Sequence, residues 1–234
     1  MNQDQNRFSS VLVTTDPALK TALSYLFSVI LKYDFEVIEE FTKDGQDAAL
    51  ALNPQALFVF PPKVKEEAVA LIERVKQKAN PPVVIVLQNG VSEFGAQAFL
   101  AGADDVVDWP CSLHELALRL FVRLGQSPNT SSASVQDANW ETEAYIAARA
   151  GLTTAEAQVM RVLFSHDGQI VTRDDLSYAV DARPWRYGDR KFDVHVAKIR
   201  KKLLDSFGSQ MSVSTVRSSG YCLSTNGADL FSES

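Results

Sequence analysis

Residues 190–203, RKFDVHVAKIRKKL, combine an apolar stripe with a dense set of cationic side chains. The apolar residues recur at helical spacing and predict a helix that buries one face: Phe192, Val196, Ile199 and Leu203. Six cations occupy other positions of the segment: Arg190, Lys191, Lys198, Arg200, Lys201 and Lys202. Asp189 stands just before the segment, where its carboxylate can accept hydrogen bonds from the first free amides of a helix. The chemistry available to such a helix is the binding of an anion, and an ordinary solvated basic surface is the simpler alternative.

The distribution of charge favours anion binding, although the 234-residue chain has a net charge of −6. Residues 1–139 hold 11 basic and 17 acidic residues, whereas residues 183–217 hold nine basic and three acidic residues. Positive charge confined to one segment is typical of a surface that binds phosphates. The overall acidity of the chain therefore does not exclude a nucleic-acid partner.

The C-terminal part of the chain predicts helices followed by a hairpin. The pattern Thr-x-x-acid, which satisfies the first free amides of a helix, occurs at Thr153 with Glu156 and at Thr172 with Asp175. Each of these patterns opens a helix, and residues 190–203 supply a third. The runs SVSTV and YCL flank the turn RSSG and predict a β-hairpin. Three helices followed by a hairpin indicate a winged helix-turn-helix, whose third helix enters the major groove of DNA.

The segments DVHVAKIRKKL and STVRSSGYCL resemble the DNA-binding domain of the OmpR/PhoB family, and the resemblance extends over about residues 152–223. It implies that cations of the third helix meet phosphates or base edges and that Arg217 enters the adjacent minor groove. Arginine and lysine suit both guanine edges and phosphate oxygens. The candidate DNA-binding residues are Arg190, Lys191, His195, Lys198, Arg200, Lys201, Arg217 and Tyr221.

Three polar residues of this region have roles that the sequence leaves open. His195 fits either a contact in the groove or packing of the helix. Tyr221 fits packing of the hairpin against the helix, with a phosphate contact from its hydroxyl as the alternative. Asp193 lies among cations, and we expect it to orient Arg200 or Lys201 through a salt bridge.

The loop before the third helix, DARPWRYG at residues 181–188, matches the family segment that touches RNA polymerase in activators. The resemblance therefore implies RNA polymerase as a partner, with Trp185, Arg186 and Tyr187 as contact residues. Both aromatic side chains are expected to be exposed and to anchor a protein there. The family also has a four-stranded sheet before its first helix. Residues 140–149 are too short for that sheet and remain open between a short strand pair and a helix.

Strand and helix patterns alternate five times over residues 10–125. Two of the predicted strands, at residues 56–60 and 82–87, are almost wholly apolar, which indicates that both faces of their sheet are covered. The expected fold is α/β, with five strands and five helices in a doubly wound parallel sheet. Ligands of such folds bind at the carboxyl ends of the strands, so a functional site is expected there.

Residues 10–125 resemble the receiver domain of bacterial response regulators, and GADDVVDWPCSLHEL is the most specific part of the resemblance. Receivers hold Mg²⁺ with an acidic pair after the first strand and accept a phosphoryl group on an aspartate after the third. They use a hydroxyl after the fourth strand and a lysine after the fifth. Here the acidic pair corresponds to Thr14 and Thr15, with Asp16 next to them. The acceptor aspartate corresponds to Phe60, the hydroxyl to Leu87 or Gln88, and the lysine to Trp109. The chain departs from the receiver pattern at each of these positions.

The missing groups are those that carry out phosphorylation. Two threonines supply no charge to offset the dehydration of Mg²⁺, and a phenyl ring cannot accept a phosphoryl group. We therefore expect a degenerate receiver that is not switched by phosphorylation, with Phe60 and Trp109 filling its pocket as apolar plugs. Asp16, which precedes Pro17, is expected to cap a helix. The alternative is a register error of one residue, which would not restore the set.

The resemblance also implies a homodimer, because receivers of this family pair through their fourth helix, fifth strand and fifth helix. The residues that match or adjoin that face are Asp104, Asp105, Arg119, Phe121 and Arg123. Phe121 replaces a cation of the family, which indicates a more apolar interface. A two-fold dimer would place two recognition helices on repeated half-sites of double-stranded DNA.

These patterns divide the chain into four parts: a receiver-like domain at 1–125, a linker at 126–139, a winged-helix domain at 140–226 and a tail at 227–234. Ser, Asn, Gln and Gly dominate the linker. Cys111 and Cys222 lack a CxxC partner, so neither a disulfide framework nor a zinc site is expected. Because a signal sequence and a long apolar run are not evident, we expect a cytoplasmic protein.

The expected function is sequence-specific regulation of transcription by a DNA-binding homodimer, without phosphorylation of the receiver. The sequence offers no recognisable catalytic triad, glycine-rich phosphate loop or paired-carboxylate cleft, so neither an enzyme nor a cofactor or metal site is expected. The alternative is an interaction protein, an adaptor with a degenerate receiver and a vestigial DNA-binding half. The basic charge of residues 183–217 favours the regulator, because a vestigial face has no reason to remain cationic.

Overall fold

The computed structural model describes residues 8–61, 65–90, 93–126 and 140–225. The chain divides into two compact units, residues 1–141 and 142–234. Most of the predicted linker and all of the predicted tail lie outside the described residues. Within the described ranges, no helix is both long enough and apolar enough to cross a membrane.

The N-terminal unit contains a five-stranded parallel sheet with the order β2-β1-β3-β4-β5. Its strands are β1 (Ser9–Val13), β2 (Asp34–Ile38), β3 (Ala56–Val59), β4 (Val83–Gln88) and β5 (Asp105–Asp108). Its helices are α1 (Pro17–Ser24, continued as a π-helix over Tyr25–Ile30), α2 (Lys43–Ala51), α3 (Glu66–Lys76), α4 (Glu93–Leu100) and α5 (Leu113–Arg123). A helix follows each strand, which confirms the predicted receiver-like (βα)5 fold.

Burial explains why this unit forms. All of β3 and the centre of β4 are buried, as their apolar sequences predict. Helix α3 packs Leu71, Ile72 and Val75 against strand residues in one apolar cluster. Because β1 lies between β2 and β3, the winding of the chain reverses beside β1, and this reversal opens a crevice at the carboxyl ends of the strands.

The C-terminal unit combines helices with a three-stranded antiparallel sheet of order β6-β8-β7. Its helices are α6 (Trp140–Arg149, which begins at the unit boundary), α7 (Thr154–Phe164), α8 (Arg173–Asp181) and α9 (Lys191–Phe207). Its strands are β6 (Ile170–Thr172), β7 (Ser212–Val216) and β8 (Gly220–Ser224), and a 3-10 turn spans Gly208–Gln210. The arrangement confirms the predicted winged helix, and residues 140–149 form a helix rather than a strand pair.

Helix α9 buries the apolar stripe that its sequence predicts. Phe192, Val196, Ile199 and Leu203 are each at most 1% exposed. The helix also continues one turn beyond the predicted end, because Phe207 is buried beneath the guanidinium of Arg149, which lies 5.3 Å from its ring. At the other end, Asp189 accepts a hydrogen bond of 2.8 Å from the backbone amide of Lys191, as expected.

Candidate functional site

Three of the six cations in residues 190–203 are bound within the protein. Lys191 Nζ lies 2.6 Å from a carboxylate oxygen of Asp181. Lys202 Nζ lies 2.6 Å from a carboxylate oxygen of Glu156, which is buried. Arg200 donates from Nε to the Val213 carbonyl at 2.7 Å and from Nη2 to Thr215 Oγ1 at 3.0 Å. These residues therefore stabilise the unit, and Arg200 fastens α9 to β7.

The other three cations lie exposed on one side of α9. Arg190, Lys198 and Lys201 are exposed, and among the described residues none of them forms an ion pair. Arg217 is also exposed, on the turn between β7 and β8. These four exposed cations are available to a partner, and a set of exposed cations is the arrangement that phosphate binding requires.

Two apolar residues that sequence reasoning missed lie on the same side of α9. Val194 is 51% exposed, and Ala197 is exposed. Both fall outside the buried stripe and lie between Arg190 and Lys201 in the sequence. Their helical spacing from these two cations is the signal that could have identified them. We call Arg190, Val194, Ala197, Lys198 and Lys201 the exposed face of α9. Apolar side chains at such a face can contact the methyl group of thymine in a major groove.

His195 is half-buried beside the exposed face of α9. Its Nδ1 atom is buried and makes no hydrogen bond within the described part of the chain. Burial, followed by the nearby ammonium groups of Lys191 and Lys198, lowers the pKa of His195. The imidazole is therefore neutral near pH 7, and packing of the helix is the better supported of its two roles.

Asp193 and Tyr221 form part of an internal cluster. The Tyr221 ring is buried, and its hydroxyl donates to Oδ1 of Asp193. The same oxygen accepts a bond of 2.6 Å from Nη2 of Arg173. The prediction that Asp193 orients Arg200 or Lys201 was therefore wrong, because its partner comes from α8. Since the Tyr221 hydroxyl is occupied, the structure places this residue in packing rather than at a phosphate.

The protonation states of this cluster follow from the same contacts. Burial opposes ionisation of Asp193, but hydrogen bonds from Tyr221 and Arg173 outweigh it, so the pKa of Asp193 is lowered. Burial, followed by the hydrogen bond to Asp193, raises the pKa of Tyr221. The cluster therefore contains a carboxylate, a neutral phenol and a guanidinium at neutral pH.

The loop between α8 and α9 exposes one of its two aromatic residues. Trp185 is half-buried and packs on the core, and its Nε1 donates to the Asp189 carbonyl at 3.0 Å. The expectation that Trp185 is exposed was wrong, because this hydrogen bond and its packing hold the indole against the unit. Tyr187 is 98% exposed, and the neighbouring Arg186 is exposed. Arg186 and Tyr187 are the predicted polymerase-contact residues that lie at the surface.

A cavity of about 460 Å³ lies at the carboxyl ends of β1, β3 and β4. Its lining, among the described residues, consists of Thr15, Asp16, Pro17, Phe60, Pro61, Lys65, Gln88, Asn89 and Phe94. The predicted pocket residues Thr15, Asp16, Phe60 and Gln88 are thus brought together. Thr14 and Leu87 are buried behind them, and Trp109 is not part of the lining. The expectation that Phe60 and Trp109 fill the pocket was wrong, because Phe60 forms part of a wall and the space stays open.

The groups at this cavity do not fit a magnesium ion. Asp16 is the carboxylate among the described lining residues, and its Oδ1 accepts from the Leu19 amide at 2.7 Å, so it caps α1 as predicted. Lys65, which sequence reasoning missed, lies with Nζ 5.4 Å from the ring centre of Phe94. In the parts of the chain that the structure describes, no group of three or more His, Cys, Asp or Glu residues is placed to hold a metal. A single capping carboxylate would not offset the dehydration of Mg²⁺.

The predicted dimer residues form contacts inside one chain. Asp105 is 4% exposed and lies 3.3 Å from Nη1 of Arg119 and 3.5 Å from Nη2 of Arg123. Asp104 pairs with Lys76 at 2.5 Å, and Phe121 is half-buried. Sequence reasoning missed three exposed apolar residues of α4 and α5: Phe99, Leu100 and Val122, which are 51%, 89% and 59% exposed.

Comparison with known proteins agrees with this architecture. Residues 148–223 match the family described as "Transcriptional regulatory protein, C terminal". PfeR, a transcriptional activator protein of Pseudomonas aeruginosa, is 30% identical over 165 residues, which are 67% of this chain and 54% of PfeR. The CpxR homolog of Haemophilus influenzae, a transcriptional regulatory protein, is 26% identical over 219 residues, which are 87% of this chain and 95% of the homolog. The chain thus spans about half the length of the first relative and nearly all of the second.

Solved structures are similar to parts of the chain. The RstA DNA-binding domain of Klebsiella pneumoniae, in complex with the RstA box, is 35% identical and covers 32% of this chain and 73% of its own, with a TM-score of 0.29. An orphan response regulator of H. pylori is 26% identical and covers 50% of this chain and 96% of its own, with a TM-score of 0.42. The family match over residues 148–223 and the relatives that align over most of the chain show that it is similar to response regulators of the OmpR/PhoB type.

Proposed function

We propose that this chain is a sequence-specific DNA-binding regulator of transcription. The observation that carries the proposal is the separation of cations on α9. Lys191, Arg200 and Lys202 are neutralised or hydrogen-bonded inside the protein, whereas Arg190, Lys198 and Lys201 share one exposed face. In this proposal α9 enters the major groove, and Arg217 on the hairpin turn enters the adjacent minor groove.

The exposed face of α9 suits the reading of bases as well as the binding of the backbone. Arg190 and Lys198 carry donors that suit guanine edges, and Val194 offers an apolar surface to thymine. Such a surface favours the regulator over the alternative adaptor, because an adaptor would not need exposed, unpaired cations. A regulator of this kind acts where the DNA is, and the relatives are bacterial regulators, so we propose a cytoplasmic location.

We propose that the N-terminal unit works without phosphorylation. The support is the cavity at the strand ends, where Phe60 occupies the position that the resemblance assigns to the phosphoacceptor. Among the described lining residues, one carboxylate is present, and it is engaged as a helix cap. DNA binding would then be controlled by the abundance of the protein or by a ligand other than a phosphoryl group.

Incubation of the full chain with acetyl phosphate and Mg²⁺ should therefore leave its intact mass unchanged. A typical receiver with the full acidic set, treated in parallel, should gain about 80 Da, the mass of one phosphoryl group. The same gain on this chain, stable over the time that receivers retain phosphate, would contradict the proposal.

We propose that two chains pair through α4, β5 and α5. Support comes from the exposed Phe99, Leu100 and Val122, and from Arg119 and Arg123, whose charges are offset by the buried Asp105. This face therefore combines exposed apolar side chains with paired charges, and self-association would remove its apolar surface from water.

Sedimentation of the full chain at micromolar concentration should show a dimer without any phosphodonor. Selection from a random duplex pool should enrich two copies of one half-site, because a dimer presents two recognition helices. Val122→Asp should shift the chain to the monomer, whereas Leu52→Asp, at another exposed apolar residue of the same unit, should not. A wild-type chain that stays monomeric and selects single half-sites would contradict this pairing.

We propose a further contact between the exposed Arg186 and Tyr187 and RNA polymerase, as the family resemblance implies. We also retain the predicted boundaries as a proposal: a receiver-like domain at 1–125, a linker at 126–139, a winged-helix domain at 140–226 and a tail at 227–234.

A further inference from the structure

Asp193 connects three elements of the C-terminal unit. It lies in the first turn of α9, and its Oδ1 accepts a hydrogen bond of 2.6 Å from Nη2 of Arg173, the first residue of α8. The same oxygen accepts from the hydroxyl of Tyr221 on β8. The guanidinium carbon of Arg173 lies 5.0 Å from the centre of the Tyr221 ring. Carboxylate, guanidinium and phenol thus form a closed cluster, which we call the clamp, defined by Arg173, Asp193 and Tyr221.

The clamp combines a buried phenol with a partly exposed ion pair. Tyr221 is 1% exposed, and it donates to a charged acceptor, which makes a stronger hydrogen bond than a neutral pair does. Asp193 also sits at the positive end of the helix dipole of α9, which favours its ionised form. Because the Tyr221 hydroxyl points to this carboxylate, the residue holds β8 against α9.

A second tie joins α9 to the hairpin about two turns further along the helix. Arg200 donates from its guanidinium to the Val213 carbonyl and to Thr215, both on β7. The clamp holds β8, and Arg200 holds β7, so both strands of the hairpin are fastened to the recognition helix. The turn that carries Arg217 connects these two strands, and its position relative to α9 is therefore set by the two ties.

Resting on the DNA-binding function proposed above, we propose that the clamp is a positioning device that lets Arg217 and the exposed face of α9 engage one duplex together. Tyr221 and Asp193 then act through Arg217 and make no contact with DNA themselves. Two contacts held at a fixed spacing bind as one unit, because the second contact forms at a high effective concentration. Loosening the hairpin removes this advantage without removing any group that touches DNA.

The test uses the full chain and two labelled duplexes, one taken from an in vitro selection and one of random sequence. Tyr221→Phe removes the hydroxyl and keeps the ring, and we expect it to weaken binding to the selected duplex about tenfold. The slope of log affinity against log salt should become shallower by at most about one, the contribution of Arg217, because Tyr221 itself touches no phosphate. Tyr178→Phe makes the same change at an exposed tyrosine of α8 and should have no effect. Melting curves of both variants should show that the unit remains folded.

A double-mutant cycle separates positioning from a mere loss of stability. Arg217→Ala should weaken binding by the wild-type chain and reduce the salt slope by about one, and it should cost much less in the Tyr221→Phe background. Asp193→Asn should behave as Tyr221→Phe does. If the effects of Tyr221→Phe and Arg217→Ala simply add, or if Tyr221→Phe lowers the salt slope by clearly more than Arg217→Ala does, the clamp is not a positioning device. If the wild-type chain binds neither duplex, the proposed DNA-binding function is wrong. That result differs from a failure of the clamp, in which the wild-type chain binds DNA but the two substitutions act independently.

Discussion

Replacing Lys198 and Lys201 with glutamate should weaken binding of the full chain to duplex DNA at least about a hundredfold at moderate salt. Both side chains lie on the exposed face of α9, and neither forms an ion pair among the described residues. The change removes two cations from the phosphate-binding surface and places two anions there, so attraction becomes repulsion. Because no internal contact is lost, the melting temperature should stay near the wild-type value.

The matched control is Lys20→Glu with Lys43→Glu, which alters the net charge by the same amount in the N-terminal unit. Lys20 pairs with Glu39 at the surface, and Lys43 is exposed at the start of α2, so neither change should disturb the fold. Titrations by fluorescence anisotropy would compare the two double variants. Equal losses in both would show that net charge alone governs binding, and an unchanged affinity of the α9 variant would exclude α9 as the contact surface.

Gly220→Ala should destabilise the C-terminal unit by about 3 kcal/mol or more and abolish DNA binding with it. A Cβ atom at this position would lie 2.0 Å from the carbonyl oxygen of Val171 and 2.8 Å from its carbon. Both atoms belong to the backbone of β6, which is paired with β8 at this point, so they cannot move away without breaking the sheet. The hairpin would then separate from β6 and lose its position beside α9.

Ser219→Ala is the control for this substitution, because Ser219 is the exposed neighbour on the turn. We expect its effect on the free energy of unfolding to stay within about 0.5 kcal/mol. Calorimetry of the full chain would follow the transition of the C-terminal unit in both variants. A Gly220→Ala chain that melts like the wild type would mean that β6 and β8 are not held as closely as the structure has them.

The fold could be predicted because its signals are local. Apolar runs without polar interruption gave the buried strands β3 and β4, and Thr-x-x-acid patterns gave the starts of α7 and α8. The end of α9 was missed, because Phe207 continues the helix by packing beneath Arg149, which lies far away in the sequence. Residues 140–149 stayed ambiguous for the same reason, since their helix depends on burial that a short window does not reveal.

The sequence predicted which helix and hairpin form the candidate site, but not which of their cations are free to bind a partner. Sequence showed that residues 190–203 are basic, but it could not show which side chains have internal partners. Lys202 pairs with Glu156, 46 residues earlier, and Arg200 bonds to the strand that follows α9. The role of Tyr221 depended likewise on Asp193, 28 residues away. Such pairings are set by the tertiary fold, and no local spacing encodes them.

The strand-end cavity was likewise predicted only in part. The parallel sheet predicted that Thr15, Asp16 and Phe60 would meet, because the carboxyl ends of neighbouring strands share an edge. Lys65 and Phe94 were not predicted, since they come from the segment before α3 and from α4. The open cavity was not predicted, because Phe60 and Trp109 are large enough to fill it. Whether a side chain fills a cavity depends on its orientation, which the sequence does not show.

The salt dependence of binding by the wild-type full chain to a duplex tests the central claim most directly. With Arg190, Lys198, Lys201 and Arg217 on phosphates or in the grooves, log affinity should fall against log salt with a slope of about −3 to −4 per bound chain. A flat slope, or no binding even in dilute buffer, would contradict the claim that the cations of α9 and of the hairpin turn bind DNA.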